Sequence, residues 1–161
     1  QGFADESAWG RGQAWGLYGY TETYRETKDK IYLEQADKIA QYILNHSNFA
    51  KDKITYWDFN APDIPASLRD ASAAAIMASA FLELSEYVNK KKAKQYFKTA
   101  ETILKNLSAA DYKAAPGTNG GFIIKHCVGH MPNKTEIDVP LTYADYYFVE
   151  AMMRYKEITS N

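Results

Sequence analysis

Trp9, Arg11, Gln13 and Trp15 alternate with small residues in the run Trp9-Gly10-Arg11-Gly12-Gln13-Ala14-Trp15. On a helix, Arg11 and Trp15 stand four apart and share a face. A planar guanidinium can hold a carboxylate at two points, and an indole beside it can lie on the apolar face of a sugar ring. Gly10, Gly12 and Gly16 let backbone or ligand come close. The grouping suits a receptor for a sugar acid. It also suits a plainer role, in which Trp9 and Trp15 anchor a core and Arg11 pairs with a nearby acid.

Two further stretches carry reactive residue types. The run Tyr56-Trp57-Asp58-Phe59-Asn60-Ala61-Pro62-Asp63-Ile64-Pro65 is aromatic and acidic, and it leads to Arg69-Asp70. Asp58 beside Trp57 has the setting of a general acid in an apolar pocket, or of an acid that ties a loop together. Asp70 is placed to cap a helix, where the helix dipole favours a carboxylate. In His126-Cys127-Val128-Gly129-His130 the residue types are those of zinc ligands. The run follows a glycine-rich turn, however, and no third or fourth ligand accompanies it, so no metal site is expected. Its expected role is a loop that touches substrate or packs at the mouth of a site. Phosphate-cradling loops, G-x-S-x-G and CxxC are all lacking.

Five helices position these residues. Apolar periodicity and breakers place them at about Arg11–Glu26, Lys30–Asn45, Asp70–Val88, Lys92–Leu107 and Leu141–Ile158. Long loops run from His46 to Leu68 and from Ser108 to Val139, the second with a possible strand at Gly121–Lys125. Pro140 suits a first helical position. Tyr32, Ala36, Ile39 and Ile43 recur as Tyr96, Ala100, Ile103 and Leu107 at a constant offset. The odd helices share an aromatic, a spacer and a glutamate: Tyr20-Thr21-Glu22, Phe81-Leu82-Glu83 and Phe148-Val149-Glu150. They are rich in small or apolar residues, so they are buried, while the even helices carry a polar face. The unit is a helical hairpin with an inner and an outer helix. Such repeats bury their cores by stacking, and their long loops gather on one face. The fold class is all-α, an α/α toroid, with residues 1–161 as a single domain. Five helices make only about two and a half hairpins. The flanking inner helices are therefore open, and self-association through them is expected.

Composition narrows the partners. Nineteen basic against 20 acidic side chains give a net charge of −1, so no footprint for nucleic acid or an anionic membrane is present. The basic run Lys90-Lys91-Lys92 is read as a solvated turn. No stretch approaches the roughly 20 apolar residues that span a bilayer, and Gln1–Asp5 shows no secretory signal. The single cysteine, Cys127, allows no internal disulfide.

The segments "WGRGQAWGLYGYTETY", "YWDFNAPDIP" with "RDASAAAI", "GH" with "EIDVPL", and "YADYYFVEAMMRYK" resemble the unsaturated glucuronyl hydrolases, glycoside hydrolase family 88. The unsaturated rhamnogalacturonyl hydrolases of family 105 match less well. The resemblance covers nearly the whole chain. It implies an (α/α)6 barrel and action on oligosaccharides left by polysaccharide lyases, which end in a 4,5-unsaturated uronic acid. An aspartic acid protonates the double bond, water adds at C5, and the resulting hemiketal opens. No metal or organic cofactor is implied, and the compartment would be bacterial cytoplasm or periplasm. Arg11 and Trp15 match the family's uronate-subsite residues, and Gln1 matches a glutamine that contacts the sugar. Cys127 to Pro132 matches the loop facing the adjacent sugar. There some members hold sulfate through serines and a lysine, while this chain has Cys127, His130 and Pro132. The family's two catalytic aspartates lie upstream of the position of Gln1. The resemblance thus implies that the chain is the C-terminal portion of the barrel, about half of it, with its catalytic acids upstream. A non-catalytic helical-repeat scaffold and a carbohydrate-binding fragment are the alternatives.

Overall fold

A computed structural model describes residues 2–160. Its helices are α1 Gly10–Thr27, α2 Lys30–Asn45, α3 Ala71–Ser85, α4 Lys90–Leu107 and α5 Thr142–Ser160. Local chemistry sets their ends. The side chains of Asp29, Asp70 and Asn89 cap α2, α3 and α4 by accepting from the amides of Ile31, Ser72 and Lys92. Lys28 closes α1 in a left-handed conformation, its N–H donating to the Tyr24 carbonyl at 2.8 Å. Lys90-Lys91-Lys92 forms the first turn of α4, not the turn before it. The Asn89 cap outweighs the poor fit of cations at a helix N-terminus, and Lys92 is neutralised by Asp37 of α2 at 2.6 Å.

The packing follows the hairpin scheme. Helix α3 lies at the centre against α1, α4 and α5, and α2 packs on α1. Every residue of α3 from Ala71 to Leu84 is buried, as its apolar sequence requires. The face of α4 that carries Tyr96, Ala100, Ile103 and Leu107 is buried, as are Ala36, Ala40 and Ile43 of α2. The inner helices are therefore α1, α3 and α5, and the outer ones α2 and α4: a sector of an α/α toroid. The turns α1–α2 and α3–α4 are short, and the long loops lie at the other end, where α1, α3 and α5 begin.

The second long loop departs from expectation. Gly121–Lys125 is not a strand, for Asn119–Gly121 makes a 3-10 turn and Ile124 only an isolated bridge to Lys113. The amides of Ile123 and Ile124 donate instead to the Asp145 carboxylate of α5, at 2.8 and 2.9 Å, and so are lost to a sheet ladder. The chain then adds a small antiparallel hairpin to the otherwise helical fold, β1 Cys127–His130 with β2 Thr135–Val139. Pro140 sits two residues before α5 rather than in its first turn. Among the described residues no helix is long and apolar enough to cross a membrane.

Candidate functional site

The starts of α1, α3 and α5 meet beneath the β-hairpin, and Arg11 stands where they meet. It is 5% exposed. One terminal nitrogen donates to Asp70 Oδ2 at 3.1 Å, to Ser72 Oγ at 3.5 Å and to the Val128 carbonyl. The other donates to the Gly129 carbonyl. The Trp9 ring centroid lies 5.0 Å from the guanidinium carbon and that of Tyr143 5.4 Å, both within cation–π range. Of the two roles that the residues allowed, pairing with a nearby acid is thus realised, by Asp70. A ligand carboxylate would reach this guanidinium only by displacing the hairpin carbonyls.

Asp70 has the capping role assigned to it and more. It is fully buried and accepts from the Ser72 amide at 3.1 Å, the Ser72 hydroxyl at 2.6 Å and the Val128 amide at 3.3 Å, besides Arg11. Burial pushes its pKa up, and Arg11, Ser72 and the Val128 N–H pull against that rise. This one carboxylate ties α1, α3 and β1 together.

Trp15 lies one turn below Arg11, half-buried. Its ring meets Tyr147 edge-on at 5.2 Å and Tyr143 tilted at 6.2 Å, both on α5. Trp15, Tyr143 and Tyr147 form an aromatic wall beside the Arg11 pair. Burial raises the Tyr143 phenol to about 12. Tyr143 and Tyr147 were not singled out among the sequence candidates. Their signal was available: four apart on α5, they echo Arg11 and Trp15, four apart on α1.

The remaining candidates sort by burial. Trp9 is half-buried, bridged to Asp58 through the backbone. Asp58 is fully buried and accepts from the amides of Phe3 and Asn60 and the Ser7 hydroxyl, each at 2.8 Å. It ties the first residues to the loop and is enclosed, so of its two readings the loop-tying one holds. Cys127 is fully buried, and burial pushes its thiol pKa far up; its side chain fills the core and does not reach an open surface. His130 lies at the end of β1, half-buried, with Nδ1 accepting from the Asn133 amide at 3.1 Å across the hairpin turn. His126 pairs through Nδ1 with Asp138 at 2.6 Å on the exposed side of the hairpin. Among the described residues, no cluster of three or more His, Cys, Asp or Glu is arranged to hold a metal ion. Gln1 lies outside the described residues.

No family model matches the chain. An unsaturated glucuronyl hydrolase of Formosa agariphila is 47% identical over 154 residues, 96% of this chain and 38% of that protein. A crystal structure of an unsaturated glucuronyl hydrolase specific for heparin superposes with a TM-score of 0.97 at 54% identity, covering 100% of this chain and 43% of the other. The D175N variant of the Streptococcus agalactiae unsaturated glucuronyl hydrolase, complexed with dGlcA-GalNAc6S, gives a TM-score of 0.85 at 32% identity over 98% of this chain and 42% of that one. The chain spans about two-fifths of the length of these relatives. By sequence and by fold, over the stretch they share, this chain is a homologue of the unsaturated glucuronyl hydrolases.

Proposed function

We propose that this chain supplies the uronate-binding side of a glycoside hydrolase acting on oligosaccharides that end in a 4,5-unsaturated glucuronic acid. The observation that carries this reading is the cluster at the long-loop end. There one cation, Arg11, is held between the rings of Trp9 and Tyr143, with Trp15 and Tyr147 alongside. A ring-faced cation fits a ligand that is both a planar acid and a sugar. The relatives' names, and the disaccharide in one relative's structure, support the same substrate class.

In this reading the double bond is hydrated rather than the anomeric carbon attacked. The proton comes from an acid outside these residues, because Asp58 and Asp70 are enclosed and committed to backbone and Arg11. Trp9 and Trp15 stack on the sugar, Arg11 takes its carboxylate in exchange for the Val128 and Gly129 carbonyls, and the turn after His130 faces the next sugar. The exposed apolar residues Tyr146, Val149, Met152 and Met153 of α5 serve self-association in this chain taken alone.

The test is ultraviolet absorbance of an unsaturated chondroitin disaccharide, whose 4,5-double bond is the chromophore. The 161-residue chain should bind the disaccharide without bleaching it. Bleaching would place the acids within these residues. A folded chain that fails to bind would remove the uronate reading.

A further inference from the structure

The three aromatic–spacer–glutamate motifs of the odd helices have no part in the site described above, yet they converge. Glu150 of α5 accepts from the Tyr18 hydroxyl of α1 at 3.2 Å through one oxygen, and from the Ser79 hydroxyl of α3 through the other. Arg154, one turn on, lies 3.7 Å from Glu150 and forms an ion pair with Glu83 of α3 at 2.8 Å. Glu83, 3% exposed, also pairs with Arg25 of α1 at 3.1 Å, and Arg25 reaches Glu22 at 2.9 Å. Glu22, Glu83 and Glu150 thus belong to one network across all three inner helices.

This network continues the aromatic wall. On α1, Arg11, Trp15, Tyr18, Glu22 and Arg25 recur at intervals of four and three, as do Tyr143, Tyr147, Glu150 and Arg154 on α5, so each set forms one stripe. Tyr147 touches Trp15 on one side and Tyr18 edge-on at 5.0 Å on the other. The stripes meet across α3, over Ser72 and Ser79. Ser79 stands two residues from Phe81, which packs on Tyr96 of α4, and so points about 200° away from it. The small residues of α3 leave the room in which α1 and α5 side chains touch. Glu150 joins the α1 and α5 stripes to α3 beside the aromatic wall, as Glu83 does one step further along.

We propose that Glu150 is a positioning residue for the sugar-stacking wall. By fixing the Tyr18 hydroxyl it fixes the ring on which Tyr147 rests, and Tyr147 fixes Trp15. The proposal rests on the uronate reading for what the wall binds, but not for how the wall is held.

The experiment uses the chain labelled with 5-fluorotryptophan, whose three 19F resonances report Trp9, Trp15 and Trp57, with Trp15→Phe for assignment. In Glu150→Ala the Trp15 resonance should shift and broaden while that of Trp57, in the loop before α3 and outside the aromatic wall, stays in place. Glu150→Gln keeps an acceptor for Tyr18 and a donor for Ser79, and should restore it. Disaccharide affinity should fall about tenfold or more in Glu150→Ala and stay within about threefold in Glu150→Gln. If Glu150→Ala collapses all three resonances, Tyr18→Phe removes only the hydroxyl and should move Trp15 in the same direction. An unchanged Trp15 resonance in a folded Glu150→Ala or Tyr18→Phe chain overturns the proposal. Failure of the native chain to bind sugar overturns the uronate reading instead, and the fluorine signal still decides how Trp15 is held.

Discussion

Arg11 carries a full charge into a place closed to water, and its partners decide what its loss does. Removing one member of a buried ion pair leaves the other uncompensated, at a cost of about 3–5 kcal/mol. Arg11→Ala should therefore lower stability by about that amount in urea denaturation, because Asp70 is fully buried and loses its cation. A loss under about 1 kcal/mol would mean that Asp70 is already compensated by its hydrogen bonds with Ser72 and Val128. Sequence showed Arg11 beside two indoles but could not show its acid. Asp70 lies 59 residues away and the accepting carbonyls of β1 lie 117 and 118 away, beyond the reach of any periodicity. Asp70 itself was legible as a cap, since capping is local.

The helices were legible to within a few residues because each carries its own signals. Helix α2, with Asp29 before it and one polar face, matches its reading at both ends. The hairpin β1–β2 was not legible. Its irregular backbone has Lys134, Glu136 and Asp138 at positive φ, positions where glycine or asparagine would have announced a turn. Glycine does explain the entry to α1. A Cβ on Gly10 would stand 2.5 Å from the Tyr56 carbonyl oxygen, and the Gly10 amide already donates to the Trp57 carbonyl at 2.9 Å. Gly10→Ala must push the loop off α1, despite alanine's better helix propensity. It should lower the thermal midpoint, with a cost of about 1–3 kcal/mol as for overpacking. A rise in the midpoint would show that the loop yields freely.

Across the whole molecule, a subset of the tyrosines is raised. Burial is the leading cause for Tyr18, Tyr96 and Tyr143. An unfolded tyrosine ionises near 10, and Tyr143 in the fold only near about 12. The folded state thus holds the proton more tightly. This stabilisation is intact below pH 10 and is lost as pH climbs from there through 12. The tyrosinate absorbance of these buried phenols should rise late, in step with loss of helical circular dichroism; complete ionisation of all 13 tyrosines near pH 10 in a folded chain would contradict that burial. The chain alone should also self-associate through α5, which light scattering at rising concentration would detect; a compact monomer throughout would count against it. Helix α3, sealed on every side from Ala71 to Leu84, has a consequence in time. Its amides meet solvent only when the molecule opens entirely, whereas those near chain ends and loops exchange through local fraying. Deuterium uptake along α3 should therefore run at one shared, slowest rate, and that rate is a clock for the opening of the whole fold.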